Sequence, residues 1–291
     1  MEVSKSTSGV VASLPSAAVA IAQGITSGKV SPKFHAKGLG ADIVDGSRLC
    51  NLQQRKRLKV FADKRDAFHS LRQAGGNTQQ IARAVGPPST LYTVDCFGII
   101  DSALHNVRVS VAASASTETA GNKTDLVFYA LDGQFGTLDP AFDAHGLPIK
   151  QWAQAIWEHT YSHEQLCQAI RFARLKLANA KGSPWAVVTG PAAALVATMQ
   201  RIGWALLSPH VATDERGQRL HFGKDPPAAI TSAVHRSVRA WRLRRIANAL
   251  PGLAPKHLDV CSQIDPPSVL IDFAFAIKGM LRGKAPNAIV R

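Results

Sequence analysis

Apolar residues recur at the period of an α-helix through much of the chain, and this pattern limits the fold more than any other feature. Leu166, Ile170, Ala173 and Leu177 follow the spacing i, i+4, i+7, i+11, which places them on one helix face. Such a face has to be buried, so the chain is predicted to build a core from packed helices. Stripes of the same period are Trp152 with Ile156 and Trp157, Leu195 with Met199 and Ile202, and Ile230 with Val234, Val238 and Trp241.

The N-terminal segment has a different pattern. A strand-like run, VVASL, precedes a helix predicted from Pro15 to about Thr26, and the extended run VSPKFHA follows Gly28. Proline at a helix start and glycine after its end are the expected terminal residues. The fold class predicted for the whole chain is therefore α+β and predominantly α, with a small β-α-β piece followed by a helical array.

The charge balance favours a polyanionic partner. The 34 Lys and Arg against 20 Asp and Glu give a net charge of +14, which fits RNA or DNA better than an acidic small molecule. Ribosomal, chromatin and retroelement proteins all meet this condition. The four cysteines are dispersed without a CxxC pair, so neither a disulfide framework nor a zinc ribbon is predicted, and a reducing compartment, nucleus or cytoplasm, is favoured.

Two segments concentrate the basic residues. The first runs from Arg48 to Arg72 and holds eight Arg and Lys against two Asp; it is predicted to be one basic helix. The second is a helix predicted from Pro227 to about Leu250, on which the arginines lie opposite the apolar stripe until its last turns. The predicted phosphate-contacting residues are Arg48, Arg55, Lys56, Arg57, Lys59, Arg236, Arg239, Arg242, Arg244 and Arg245.

No catalytic site, metal site or cofactor is predicted from the residues. His159, His163 and Cys167 have ligand-like spacing, but Ser162 and Gln165 form a capping box that starts a new helix between them. The chain has no GxSxG elbow, no complete phosphate loop and no Asp-Asp pair. The close pairs of aspartates, including Asp139 with Asp143, fit turn and capping roles better.

Local signals divide the remainder. A short helix after Thr78 is predicted to end at Gly86, before Pro87 and Pro88, and Asp101 is predicted to cap a helix whose buried face carries Leu104, Val107 and Val111. No run of about 18 apolar residues occurs, so no membrane span is predicted. The predicted segments are 1–47 (β-α-β), 48–113 (basic and helical), 114–123 (polar linker), 124–257 (helical) and 258–291 (a tail with one helix).

Several blocks resemble LINE-like (non-LTR) retrotransposon polyproteins, in the region that follows the catalytic palm of the reverse transcriptase. The resemblance covers residues 5 to 255 and departs from the family at Lys37-Gly38, where Arg-Asp is usual, and at Thr93, where glycine often follows the tyrosine. The blocks are KGLGADI, QQRKRLKVFADKRDAFHSLRQAG, PPSTLYTVDCFGIIDSALHNVRVSVA, GTLDPAFDAHGLPIKQWAQAIW, GSPWAVVTGPAAALVATMQRIGW and DPPAAITSAVHRSVRAWRLRRIA.

The resemblance implies a palm tail followed by a thumb-like or connection segment that grips template or primer backbone. The family's Tyr-x-Asp-Asp hairpin would lie upstream of Met1, and its cysteine and histidine finger and nuclease beyond Arg291. The chain is thus expected to bind RNA or DNA, with the polymerase region as a further partner, and not to polymerise alone. Two alternatives stay open. The first is a helical assembly protein that binds a partner through the helix from Pro227, whose apolar residues lie on two different faces. The second is a degenerate retroelement fragment without activity.

Overall fold

The computed structural model describes residues 9–10, 15–24, 31–32, 35–38, 41–44, 51–116, 124–132 and 138–249. Helices dominate these ranges and short strands complete them, so the predicted α+β, mainly α class is confirmed. Arg48, residues 117–123 of the predicted linker and the tail 258–291 lie outside the described residues.

The N-terminal β-α-β unit is present. Strands β1 (Gly9–Val10) and β2 (Ser31–Pro32) pair in parallel, and helix α1 (Pro15–Gly24) connects them. Parallel neighbours need such a crossover because a tight turn reverses the chain direction. A hairpin of β3 (His35–Gly38) and β4 (Ala41–Val44) follows, with His35 opposite Val44.

The first basic segment forms two helices, so the prediction of one helix is wrong. Helix α2 (Leu52–Ala62) ends before Asp63, and α3 (Arg65–Gln73) starts after Lys64. Phe61 and Phe68, one on each helix, are both buried, and their ring centroids lie 5.9 Å apart. The break lets each helix bury its own phenylalanine in one cluster, which stabilises the bend by removing both rings from water.

Helix α4 (Thr78–Thr90) continues through Pro87 and Pro88, where the sequence predicted its end. Prolines cannot donate to the carbonyls one turn back, which normally breaks a helix. Here Gly86 packs so closely on the helix that carries Val111 that a Cβ at position 86 would lie 2.8 Å from Val111 Cγ2. Tertiary packing thus overrides the local signal.

Helix α5 (Val94–Phe97) is followed by α6 (Asp101–Ala115). Leu104, Val107 and Val111 are buried on α6, as predicted. The N-cap is Ile100 and Asp101 is the first helical residue, so the predicted capping role of Asp101 is wrong. Its carboxylate instead lies 3.0 Å from Nε of Arg201.

Thr93, between α4 and α5, has a left-handed backbone with φ of 74°. A β-branched residue is strained there, whereas glycine is not. We expect Thr93→Gly to raise the free energy of unfolding by about 1 kcal/mol, measured by chemical denaturation. Thr231→Gly, at an ordinary helical position, is the control and should lower it; a loss in both variants would contradict the strain at Thr93.

The remaining helices follow the predicted stripes. Ser162 caps α9 with the expected capping box, and Asp139 caps α8 by accepting from the Ala141 amide at 3.0 Å. Trp152 and Ile156 are buried, but Trp157 is 44% exposed, against the prediction. The helices are α7 (Thr124–Asp132), α8 (Pro140–Trp157), α9 (His163–Ala178), a 3-10 turn (Pro184–Val187), α10 (Pro191–Ile202) and α11 (Pro227–Ala249).

A three-stranded antiparallel sheet interrupts the region predicted to be helical. Its strands are β5 (Ala205–Ser208), β6 (Val211–Thr213) and β7 (Arg219–His221), in that order. Asp214 Oδ1 accepts from the amides of Arg216 and Gln218, and Gly217 has a φ of 81°. Asp and Gly at these positions are typical of a tight turn. The sequence of this segment therefore contained evidence for a hairpin that the helical prediction did not use.

Two hydrophobic clusters hold helices α2 to α11 together. One collects α8 to α11 and the β5–β7 sheet, and the other collects α2 to α7. Helix α8 contributes to both, with Ala141 in the first and Ala144 in the second. The long helix α11 packs mainly on α8 and also contacts α7, where Arg245 of its last turns donates to Asp125.

Candidate nucleic-acid interface

Helix α2 presents a basic face to solvent. Phe61 is 2% exposed on its inner side and anchors the helix on α4 and α6. Arg55, Lys56 and Lys59 lie on the outer side, and all three are exposed. Among the described residues, none of these three side chains has an ion-pair partner. Three cations on one helix face are therefore available to phosphate groups.

Arg57 has a different role from its neighbours. Its Nη1 donates to the carbonyl of Tyr92 at 3.3 Å, and its guanidinium lies 4.6 Å from the centroid of the Tyr92 ring. The side chain is only partly exposed. Arg57 therefore ties α2 to the turn after α4, and it is less available to phosphate than the prediction supposed.

The arginines of α11 divide into exposed and engaged residues. Arg236 and Arg244 are exposed, and neither has an ion-pair partner among the described residues. Arg239 is partly exposed and engaged in a further contact. Arg245 Nε donates to Asp125 Oδ2 at 3.2 Å, with its guanidinium 4.9 Å from the Trp241 ring. Two arginines of this helix thus remain for phosphate.

The prediction that Arg242 faces solvent is wrong. Its side chain is 1% exposed, and its Nη1 lies 3.5 Å from Asp139 Oδ2. Position 242 follows Val234 and Val238 at intervals of four, so it falls on the buried stripe of α11. The sequence pattern predicts position 242 on the opposite face, with Arg236 and Arg239, and the burial of its side chain corrects this.

A buried ion cluster surrounds Asp139, and no sequence pattern predicted it. Arg108 donates from Nε and Nη2 to the two oxygens of Asp139, both at 2.8 Å, and its Nη1 lies 2.7 Å from Asp125 Oδ1. Burial alone would raise the pKa of Asp139, but Arg108 and Arg242 outweigh it, so the pKa lies below its ordinary value. The cluster joins α6, α7, α8 and α11 and fixes how α11 presents its outer face.

His145, one turn into α8, is fully buried beside this cluster. Its Nδ1 lies 2.5 Å from the Ala141 carbonyl, and its ring centroid lies 5.1 Å from that of Trp241. Burial, reinforced by the nearby Arg201, lowers the pKa of His145 from 6.5 to about 3. Between about pH 3 and pH 6.5, the imidazole of His145 is therefore neutral in the folded chain and protonated in the unfolded chain.

This difference predicts acid sensitivity. The contribution of His145 to the free energy of unfolding is complete above about pH 6.5. It is lost as the pH falls toward the pKa of the folded state, at about 1.4 kcal/mol per pH unit. As the pH falls from about 6.5 to about 4.5, we expect the wild type to lose about 2 kcal/mol more of its free energy of unfolding than His145→Gln loses. Denaturation across this range measures it; His105→Gln, at an exposed position, is the control, and parallel curves for all three proteins would contradict the assignment.

The described residues do not assemble a metal centre. His163 Nε2 lies 3.4 Å from Cys167 Sγ, and its Nδ1 lies 3.0 Å from His210 Nε2. The two contacts use opposite sides of the His163 ring, so they do not converge on one ion, and no group of three suitable ligands occurs in the described ranges. In the same ranges no helix has the length and apolar character needed to span a membrane.

An open cavity of about 480 Å³ lies between α9, α10 and β5. Arg174 is its one charged lining residue, and the other lining side chains are apolar apart from Gln200. None of these residues supplies a general acid, a general base or a nucleophile. This cavity therefore offers no hydrolytic or transfer chemistry.

The two basic faces belong to different parts of the fold. Helix α2 packs on α4 and α6, whereas α11 packs on α8 and α7. Helix α6 links them, since it contacts α2 directly and holds Arg242 through the shared Asp139. The described surface thus offers two separate basic faces on helices that α6 connects. No family model, curated protein or solved structure matches this chain.

Proposed function

We propose that this protein binds the sugar-phosphate backbone of RNA or DNA through the exposed cations of α2 and α11. The observation that supports this most is the outer face of α2, where Arg55, Lys56 and Lys59 are exposed and have no ion-pair partner in the part of the chain that the structure describes. Solvated charge is common on helix surfaces, but three cations without a carboxylate among them fit a polyanion. The net charge of +14 acts in the same direction at longer range.

The biological setting we propose is a reverse-transcriptase-like retroelement protein, in which this chain grips template or primer. This rests on the sequence blocks that resemble LINE-like polyproteins. Phosphate contacts position a nucleic acid without reading its bases, which suits a gripping role. Polymerisation itself needs paired carboxylates for two metal ions, and the sequence contains no Asp-Asp pair.

The salt dependence of binding tests the proposal. The α2 cations with Arg236 and Arg244 make five phosphate contacts, for which the logarithm of the affinity for a single strand should fall with the logarithm of salt concentration with a slope of about −3.5. Fluorescence anisotropy of a labelled oligonucleotide gives this slope. A slope near zero, or no binding at low salt, would remove the proposal.

A second candidate function, self-association, is favoured by apolar residues exposed on another surface. Phe172 and Leu175 of α9 are 69% and 52% exposed, and Leu207 of β5 is 53% exposed. Exposed apolar side chains mark interaction sites where they form one contiguous patch. The apolar faces of α11, through which the sequence predicted that an assembly protein would bind its partner, are covered by α8 and α7. Sedimentation that shows a salt-insensitive dimer, without nucleic-acid binding, would favour this function over the first.

A further inference from the structure

The turn after α4 exposes an aromatic ring beside the basic face of α2. Tyr92 is 51% exposed, although Leu91 and Val94 on either side of it are 2% and 1% exposed. The left-handed backbone of Thr93, with φ of 74°, turns the chain between these buried anchors. Strained backbone of this kind tends to persist where function uses it.

Two hydrogen bonds hold the backbone of Tyr92, and one cation–π contact holds its ring. Arg57 Nη1 and the Thr93 hydroxyl both donate to the Tyr92 carbonyl. The guanidinium of Arg57 lies over the ring, 4.6 Å from its centroid, which is a cation–π contact. The side chain therefore loses little further freedom if a ligand packs against its exposed surface.

The position of Arg57 relates the ring to the phosphate-binding cations. Arg57 follows Lys56 directly and lies at the edge of the exposed face of α2 that carries Arg55 and Lys59. A polynucleotide whose phosphates contact that face thus passes within reach of Tyr92. Phosphate-binding cations next to an exposed, held aromatic ring are the combination that binds single-stranded nucleic acid.

We propose that Tyr92 is a stacking platform for one base of a single-stranded polynucleotide whose backbone lies along α2. This inference rests on the proposed function, and it narrows the ligand from nucleic acid in general to a single strand. In a duplex both faces of each base are covered by neighbouring pairs, so only an unpaired base offers a face to the ring. Among the side chains whose burial is described, the other exposed tyrosine is Tyr161, which lies between α8 and α9 and not beside α2.

The test uses an oligonucleotide that contains 2-aminopurine, whose fluorescence is quenched by stacking, both as a single strand and in a duplex. Tyr92→Leu should lower the affinity for the single strand by about 5-fold to 100-fold and abolish the added quenching. Duplex affinity should change less than about two-fold, since phosphate contacts remain. Tyr92→Phe keeps the ring and should behave as wild type, and so should Tyr161→Leu.

The outcomes separate the two proposals. If Tyr92→Leu binds the single strand with unchanged affinity and quenching, while binding stays steeply salt-dependent, the stacking inference is wrong and the phosphate-binding function stands. If the wild type shows no salt-dependent binding to either ligand, the proposed function itself fails. An equal loss for single strand and duplex would assign Tyr92 to shaping the surface and would also overturn the stacking inference.

Discussion

Asp139→Asn is expected to lower the free energy of unfolding by about 3–5 kcal/mol, because it leaves the guanidinium groups of Arg108 and Arg242 buried with too little negative charge. The Asp139 side chain is 0% exposed, and those of Arg108 and Arg242 are 2% and 1% exposed. Asparagine keeps the size of the side chain and its capacity to cap α8. The loss therefore reports the charge, and urea denaturation at neutral pH measures it.

The control for this prediction is Asp66→Asn. Asp66 is exposed and lies in the first turn of α3, where its carboxylate favours the helix only weakly. The expected loss is below about 1 kcal/mol. Equal losses in both variants would mean that the buried cluster adds nothing beyond an ordinary surface charge, which contradicts its role in positioning α11.

The triple variant Arg55→Gln, Lys56→Gln, Lys59→Gln should bind single-stranded nucleic acid about 100-fold more weakly than wild type near 0.1 M salt. Each lost phosphate contact removes about 0.7 from the salt slope, so the slope should become shallower by about 2. The three side chains are exposed, so the fold should be unaffected. Anisotropy titrations at several salt concentrations measure both quantities.

A second triple variant separates local contact from total charge. Arg171, Lys181 and Lys224 are exposed away from α2, and changing all three to Gln removes the same three charges from the net +14. This variant should lose only a few-fold in affinity through the weaker long-range field. If the two triple variants bind equally weakly, the attraction is general and α2 is no special surface.

The helices could be predicted wherever the buried residues recur at the period of an α-helix. Leu166, Ile170 and Leu177 are buried as their spacing indicated, and Ser162 caps α9 as its partner Gln165 indicated. In these segments the local preference and the tertiary environment favour the same structure. The β-α-β unit was predictable for the same reason, since its proline and glycine signals agree with its strands.

The sequence could not reveal contacts between distant residues. Arg242 and Asp139 are 103 positions apart, and no local pattern relates them. An arginine on an otherwise apolar stripe was the available signal, both at Arg242 and at Arg108 beside Val107. Reading such a residue as a candidate for a buried ion pair would have pointed to this cluster.

The candidate interface was predictable only in part. The cluster of cations on α2 is visible in the sequence. The exposure of Tyr92, by contrast, depends on the left-handed backbone conformation of Thr93, which threonine rarely adopts. Trp152 is buried as its helical stripe predicted, whereas Trp157 of the same stripe is 44% exposed. The exposed aromatic ring next to α2 is therefore a feature that required the structure.

Photocrosslinking tests the central claim most directly. The protein would be irradiated in complex with a 4-thiouridine-containing RNA, and the crosslinked peptides mapped by mass spectrometry. Binding through the two basic faces predicts crosslinks within α2, at the Tyr92 turn and along the outer side of α11 near Arg236 and Arg244. Crosslinks confined to other surfaces, such as α9 or the β5–β7 sheet, would contradict it.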